Sequence, residues 1–307
     1  MALTDSSALS TLITFQIQTR VLDNLRAMLV YANRAYAEQA TLSPGKDTAS
    51  FVFIPDLAIA TTSLTEGVAP TAVALTSSKV DVSCAQKGNL VDITDVAKVK
   101  SPVALIAEAA DRVSRNAQES IDQITRDVIA AGGTAFYAGT GNAARADLAA
   151  TDVMTAATLR KVRATMFKNK IPPFSGTDYL FIATAEQGYD LRSETATGSF
   201  IDVNKYAKPE TLLAGELGRM EGFRVIEAQN GPTFSSTTTV HAGIAIGGVK
   251  GWGVADLQSL SIHHVAPGGD HSDPLAQSEK LGWKVMFGSA VLSNARYYRV
   301  ESGATTL

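Results

Sequence analysis

Three small residues in one glycine-rich segment are spaced as in a loop that binds a dinucleotide. Gly139, Gly141 and Ala144 match the loose pattern in which glycines let the backbone approach a pyrophosphate. Such a loop needs a full strand before it and an acidic residue at the end of the next strand, about twenty positions further on. Only the short run TAFYA precedes this segment, and no strand ends in an acidic residue at that spacing. The sequence therefore favours a loop between domains, and no cofactor is predicted.

A second group of residues, near the carboxyl end, has side chains of the types that bind metal ions. The group consists of His263, His264, Asp270, His271 and Asp273. If the segment LSIHHV is a β-strand, its adjacent side chains point to opposite faces. Only one of the two neighbouring histidines can then join a common site. This geometry disfavours a metal centre and predicts a polar turn between strands.

Other common catalytic patterns are missing from the sequence. Of four histidines, only His241 lies outside the group just described, and no serine near it has the G-x-S-x-G pattern of a nucleophile. There is also no phosphate-binding P-loop and no H-E-x-x-H zinc motif. No catalytic residue is therefore predicted. The alternative to a structural protein is an enzyme that uses Gly139–Ala144 with a dinucleotide or His263–His271 with a metal.

The composition argues against several classes of protein. With 27 basic and 30 acidic residues, the net charge of −3 gives no strong field for nucleic acid, so a sequence-specific nucleic-acid binder is not expected. No run approaches the roughly 18 apolar residues of a membrane span, and the amino terminus has no signal-peptide pattern, so we expect a cytosolic protein without a membrane partner. Five cations are dense in one predicted helix, and we interpret them as a solvated or subunit-facing surface: Arg160, Lys161, Arg163, Lys168 and Lys170.

The element that organises the rest of the chain is a long amphipathic helix predicted from Ser101 to Gly133. Pro102 suits the first helical position, and Gly132-Gly133 is a stop signal. Such a helix is roughly 45 Å long, more than a compact domain needs. Its apolar stripe is expected to pack against strands near the carboxyl end, and it runs through Val103, Ile106, Ala110, Val113, Ala117, Ile121, Ile124 and Val128.

Two segments precede this helix, and neither is self-sufficient. Leu9–Tyr36 carries an apolar helical stripe that needs a partner surface. Ser50–Pro55 and Val73–Cys84 have the pattern of strands, with the polar stretch Thr61–Thr71 between them. Because an isolated hairpin is marginal in water, this pair has to lie on another surface, such as a second subunit.

The chain beyond the long helix mixes helices and strands. Asp152 is the predicted N-cap of a helix that ends before Pro172, and strands are predicted at Asp178–Thr184 and Gly222–Ala228. The tail from Thr237 is largely extended and is expected to form antiparallel strands, some of them on the long helix. The predicted fold class is α+β.

This layout resembles that of tailed-bacteriophage major capsid proteins of the Hong Kong-type fold. The segment LTEGVAP, which includes Leu64, Glu66 and Gly67, resembles the hairpin tip of one branch of these coat proteins. The segment GRMEGFRVIEAQNGP, from residue 218 to 232, resembles a stretch of their second domain. The third similarity is to the carboxyl-terminal signature of the branch, and it consists of Asp273-Pro274-Leu275-Ala276-Gln277, then Leu281 with Gly282, Trp283 and Lys284, then VLSNARYYRVES.

The resemblance implies four parts of the chain. They are an amino-terminal arm (1–45), an extended β-hairpin loop (46–98), a peripheral domain (99–150 and 246–307) with the spine helix at 101–133, and an axial domain (151–245) around the capsomer centres. Since only about 45 residues precede the hairpin, no internal scaffolding domain is expected. The lysine–asparagine crosslink of some members is not carried over.

The resemblance also implies a function. The chain is expected to assemble with itself into hexamers and pentamers of an icosahedral phage head that encloses double-stranded DNA. Separate scaffolding, portal and decoration proteins are the further partners implied, and contact with DNA is expected to be weak, salt-sensitive and independent of sequence. The protein is expected in the virion after synthesis in the host cytoplasm.

Overall fold

The computed structural model describes residues 30–33, 35–42, 45–55, 57–61, 63, 66–69, 72–101, 105–194, 216–269, 273 and 275–305. Most of the predicted amino-terminal arm therefore lies outside the described residues, as do Leu64, Asp270, His271 and Pro274.

A four-stranded sheet forms the first half of the fold. Its order is β1 (Glu38–Thr41), β11 (Trp252–Val265), β12 (Ser278–Val291) and β4 (Ala85–Thr94). Strands β11 and β12 are antiparallel, β4 is antiparallel to β12, and β1 runs parallel to β11. Two strands distant from the carboxyl end thus flank the long β11–β12 hairpin.

The long helix α2 (Leu105–Ala131) packs on this sheet. Its small residues Ala110 and Ala117 are buried against Trp283 and Phe287 of β12, and half-buried Ile121 and Ile124 join the same core. The predicted contact between the helix and the carboxyl-terminal strands is therefore confirmed. The burial of this apolar face explains why a helix with few strong apolar residues is stable.

The predicted start of the long helix, with Pro102 at the first helical position, lies outside the described residues, which leave out 102–104. Ser101 is extended and caps the end of a separate short helix, α1 (Asp95–Lys100), where it donates its backbone N–H to the Ala97 carbonyl at 3.0 Å. The following Pro102 explains this, because a proline pushes the preceding residue out of the helical region. The stop is close to the prediction, since Gly133, with φ +77°, follows the last helical residue by two positions.

A seven-stranded sheet forms the second half of the fold. Its main path is β5 (Thr134–Tyr137), β13 (Tyr297–Ser302), β10 (Thr239–Ile246), β6 (Tyr179–Thr184), β8 (Phe223–Ala228) and β7 (Glu216–Met220), and β9 (Thr233–Ser235) pairs with β10. Alternate residues of β6 enter two cores. Phe181 faces the helices α3 (Ala156–Lys168) and α4 (Ala185–Ser193), whereas Ile182 faces Trp252 and Ile129 of α2.

The sheets cut across the boundaries drawn from the sequence. Strands β5 and β13 come from ranges assigned to the peripheral domain, yet they pair within the seven-stranded sheet. Strand β4 lies within the range assigned to the extended loop, yet it pairs with β12. The N-cap of α3 is Thr155 instead of Asp152, because the Thr155 hydroxyl accepts the Thr158 N–H.

A two-stranded antiparallel pair packs on the fold without strand hydrogen bonds to either sheet. It consists of β2 (Thr48–Phe53) and β3 (Ser78–Ser83), so Val73 and Leu75, which are predicted to lie in the second strand, lie outside it. Ala49 and Val82 at its base pack against Ala255 of β11. None of the helices in the described ranges is long and apolar enough to cross a membrane.

Candidate assembly surfaces

The glycine-rich loop has its polar groups turned towards its own chain. Asn142 donates its side-chain amide to the Ala138 carbonyl at 2.7 Å and to Asp152 at 2.9 Å. The Asp147 carboxylate accepts the backbone N–H groups of Ala143 and Ala144 at 3.1 and 2.9 Å. These amides are therefore occupied by carboxylates instead of being presented to a phosphate.

The surroundings of this loop also differ from those of a dinucleotide site. Strand β5 has four residues, and a short 3-10 turn at Arg145–Asp147 follows where a nucleotide site would have a helix. Gly139 and Gly141 both have φ of +85°, and a side chain at Gly139 would collide with Asp152. The glycines thus serve a tight turn, and the dinucleotide alternative is not supported.

The two neighbouring histidines point to opposite faces of β11, as predicted. His263 is exposed and lies 3.1 Å from the Ser261 hydroxyl. His264 is nearly buried and lies against Glu279, which also forms an ion pair with Lys98. No group of three metal-binding side chains occurs within the described ranges.

The buried cluster of Lys98, Glu279 and His264 attaches helix α1 to the four-stranded sheet. Burial by itself would raise the pKa of the Glu279 carboxyl, but hydrogen bonds and charge from Lys98 and His264 outweigh it and hold that pKa below its ordinary value. The carboxylate is therefore kept ionised, which is the condition for a paired buried charge. The cluster is a structural joint between the base of the hairpin segment and the β11–β12 pair.

The side-chain amide of Asn116 on α2 connects Trp283 of β12 with Asn89 of β4. The Trp283 indole N–H donates to the Asn116 side-chain oxygen at 2.9 Å, and the same oxygen accepts from Asn89 at 3.2 Å. Gly282 permits the close pairing of β12 with β4, because a Cβ there would lie 2.8 Å from the Asn89 carbonyl. The half-buried neighbour Lys284 offers its carbonyl to Ser261 at 3.2 Å. The carboxyl-terminal signature thus serves the joint between helix and sheet.

Asp273 shapes the turn that precedes β12. Its carboxylate accepts the backbone N–H of Ser278 at 2.7 Å and the Ser278 hydroxyl at 2.9 Å. Hydrogen bonds from the backbone of Gln277 and from Ser278 hold the pKa of Asp273 below its usual value. The turn presents Leu275 to solvent, with Ala276 in the left-handed region at φ +55°. This arrangement is a structural turn, and Pro274 lies outside the described residues.

The tip region beyond β2 and β3 is open to solvent. Glu66 and Gly67 are exposed, and Gly67 takes the left-handed conformation, with φ +78°, that a turn requires. Large apolar side chains here also face solvent, and they are Val52, Ile54, Leu57, Ile59, Val68, Val73 and Leu75. We call these seven residues the hairpin apolar surface. So many exposed large apolar side chains in one segment are typical of a protein interface.

Asp122 is a key residue that sequence reasoning missed. Its carboxylate on α2 accepts three consecutive backbone N–H groups, from Val30, Tyr31 and Ala32, at 3.1, 2.8 and 2.9 Å. Burial raises the pKa of this carboxyl, although the three hydrogen bonds and nearby Arg126 oppose the increase. The only signal in the sequence was an acid next to the apolar stripe. This residue fixes the point where the amino-terminal segment meets the long helix.

Glu301 forms a second buried site that the sequence did not indicate. The side chain is 0% exposed and accepts hydrogen bonds from Arg145 and Arg299, with distances of 2.6 to 2.7 Å. Arg145 also lies over the Phe234 ring, 3.7 Å from its centre. Burial would raise the pKa of Glu301, but the two guanidinium groups hold it below its ordinary value. The network joins strand β13 to the loop after β5.

Solved structures with the same fold are capsid proteins. The capsid of Ralstonia phage GP4 aligns with a TM-score of 0.70 at 15% identity, with 88% of each chain covered. The capsid of cyanophage Pam1 aligns with a TM-score of 0.69 at 15% identity, covering 89% of this chain and 92% of that one. The head structure of Helicobacter pylori bacteriophage KHP40 gives 0.66 at 14%, covering 87% and 88%.

The sequence itself also matches a family model. The model described as phage capsid protein matches residues 77–299, from the end of the hairpin region to the last strand. A comparison with curated protein sequences found no match. The matched range contains α2, most strands of both sheets and most of the carboxyl-terminal signature, and neither candidate enzyme site is supported. The chain therefore belongs to the phage capsid protein family, as a major capsid protein with the α+β Hong Kong-type capsid fold.

Proposed function

We propose that this chain is the shell-forming subunit that assembles into hexamers and pentamers of an icosahedral phage head enclosing double-stranded DNA. The observation that carries the proposal is the hairpin apolar surface, since Ile59 is 75% exposed and Leu75 is 69% exposed on the segment beyond the β2–β3 pair. Exposure of so many large apolar groups is unfavourable in an isolated chain. In a closed shell, every subunit has a neighbouring copy of the chain, and this copy covers the hairpin apolar surface.

The parts of the fold suggest separate roles in such a shell. The hairpin is the extended loop that covers a neighbouring subunit, and α2 is the spine of the peripheral domain. Residues 151–245, which include α3 and α4, are the axial domain at capsomer centres. The amino-terminal arm (1–45) contacts adjacent subunits, and Asp122 holds its residues 30–32 on α2.

The proposed life cycle involves further proteins. Synthesis takes place in the host cytoplasm, and the subunit becomes part of the virion. Scaffolding, portal and decoration proteins are separate chains that act during or after assembly. Contact with packaged DNA is independent of sequence, because it depends on phosphate charge. The family and the structural matches indicate a structural protein instead of an enzyme.

Electron microscopy of the purified full chain tests the proposal. We expect closed shells or their capsomers in negatively stained preparations and a sedimentation coefficient far above that of a monomer. Extended tubes would assign the chain to a tube, and a small oligomer under all assembly conditions would overturn the proposal. A variant in which Ile54 and Ile59 are replaced by serine should yield the folded subunit without shells, with Ser63→Ala as the matched control on the same segment.

A further inference from the structure

Helix α3 carries a concentration of positive charge in a chain whose overall charge is negative. Residues 153–177 contain five cations and no carboxylate, whereas the whole chain has a net charge of −3. We call the cations the basic face of α3, and they are Arg160, Lys161, Arg163, Lys168 and Lys170. A local excess of one sign marks a surface that attracts a partner of the opposite sign.

The packing of α3 leaves this charge on the surface. Leu159, Val162 and Met166 are completely buried against the seven-stranded sheet. The five cations therefore lie away from the sheet, and all five are exposed. Lys161 and Lys168 are separated by roughly 10 Å along the helix axis, which is enough to reach more than one phosphate of a nucleic acid.

Most of these cations have no counter-charge in the fold. Arg160 forms an ion pair with Glu221 at 3.0 Å, and the Arg163 guanidinium lies against Gly222. For Lys161, Lys168 and Lys170, no carboxylate lies within ion-pair distance in the part of the chain that the structure describes. Three exposed ammonium groups, two on α3 and one just beyond its end, are thus available to an external anion.

The local backbone explains only part of this charge. Arg160 and Lys161 lie in the second turn of α3, whereas the helix dipole favours cations only at the carboxyl end. Lys170 has φ +56° at the helix cap, where glycine or asparagine is the usual residue. A lysine in this conformation costs about 1 kcal/mol relative to glycine. Helix stability therefore does not account for Arg160 and Lys161, whereas Lys168, in the last turn, lies where the helix dipole favours a cation.

Two occupants have the required negative charge, an acidic surface of a neighbouring copy and the phosphate backbone of DNA. Six acids in the described part of the chain already pair with cations of the same chain, namely Asp81, Glu108, Asp127, Asp178, Glu221 and Glu227. Exposed Asp92 and Glu119 have no ion pair within the described residues, so the tests include a neighbouring copy as an outcome. Duplex DNA instead presents one charge per roughly 1.7 Å of its axis. We propose that the basic face of α3 contacts the backbone of the enclosed double-stranded DNA, an inference that rests on the proposed function.

The first test measures DNA binding by the full-length chain before assembly. A short fluorescent duplex is titrated by anisotropy at several salt concentrations. The variant K161Q/K168Q/K170Q should lose about tenfold or more in affinity, and the slope of log affinity against log salt should fall by roughly 2 to 3, because up to three phosphate contacts are removed. K161R/K168R/K170R should bind like the natural chain. The matched control K46Q/K87Q/K100Q removes the same charge from exposed positions outside α3 and should keep its affinity.

The second test locates the face in assembled particles. Lysine acylation followed by mass spectrometry is compared between empty and DNA-filled shells. If the proposal holds, Lys161, Lys168 and Lys170 react in empty shells and are protected in filled ones. Equal protection in both would show that a neighbouring subunit covers the face, and unchanged DNA affinity in K161Q/K168Q/K170Q would equally overturn the inference. If the inference is overturned by either result but shells still form normally, the proposed function stands. Failure of the natural chain to form shells would refute the proposed function separately.

Discussion

The Asp122 carboxylate accepts the backbone N–H of Tyr31 at 2.8 Å, across 91 residues of sequence. The same oxygen accepts the N–H groups of Val30 and Ala32, so three successive amides converge on one atom. Buried amides need acceptors, and nothing else in the described contacts serves these three. The relationship ties residues 30–32 to the long helix.

Removal of this acceptor should destabilise the subunit. In Asp122→Ala, three amides lose their partner, and we expect the free energy of unfolding to fall by about 2 to 3 kcal/mol. Urea denaturation measures the change. Asp127→Ala is the matched control, because it removes an exposed acid from the same helix and should change stability by less than about 0.5 kcal/mol. Equal stability of both variants would contradict the role of Asp122.

The pH dependence of the Asp122 contribution has a definite sign. Because burial raises the pKa of this carboxyl in the folded chain, the folded state binds the proton before the unfolded state does. This group therefore adds stability as the pH falls through the folded pKa, and its contribution levels off below the ordinary pKa of aspartate. Comparison of the natural chain with Asp122→Asn over this range measures the effect. A difference that does not change with pH would contradict the prediction.

The contribution of Glu301 to stability should change with pH in the opposite direction to that of Asp122. The pKa of Glu301 is held below the ordinary value, so its stabilising contribution is present above the unfolded pKa and is lost as the pH falls towards the folded pKa. At neutral pH, Glu301→Gln leaves Arg145 and Arg299 without their buried counter-charge, and we expect a loss of about 3 kcal/mol. Glu108→Gln breaks an exposed ion pair with Arg112 and serves as the control. Thermal unfolding at neutral and acidic pH compares the two, and parallel curves would refute the prediction.

A charge on the packed face of α2 should prevent folding of the subunit. Ile121→Asp or Ile124→Asp places a carboxylate against the core formed with β12, where no cation pairs with it. We expect little or no soluble subunit from either variant. Gln123→Asp introduces the same side chain at an exposed position of the same helix and should give normal yield. Normal yield of the isoleucine variants would contradict the packing.

The tip of the hairpin should be needed for assembly but not for folding. Deletion of Thr61–Thr71 removes exposed residues only, as far as the described positions of this stretch go, so the subunit should keep its circular dichroism spectrum and melting temperature. Electron microscopy should then show no shells. Replacement of the same residues by a flexible glycine-serine segment of equal length separates the role of the side chains from that of length. Shells of normal size from both variants would refute the role of the tip.

Local patterns in the sequence determined several elements, because their physical causes are local. The apolar stripe of α2 and the stop at Gly132-Gly133 predicted a long helix that packs on the carboxyl-terminal strands, and the structure confirms both. The alternation of side chains along β11 correctly separated His263 from His264. The family was also recognisable, since the motif around Gly282 and Trp283 is continuous in the chain.

Tertiary structure alone decided which distant segments pair. Strand β13 lies beside β5 and β10, and β4 lies beside β12, because hydrogen bonding between strands depends on register and not on sequence distance. Tertiary structure alone also decided which distant groups pair with the buried acids. Asp122 with residues 30–32, and Glu301 with Arg145, are 90 or more residues apart, and no local pattern marks either acid as a buried acceptor. Their roles follow only from burial, which makes each unpaired polar group costly and so selects a partner wherever the fold brings one.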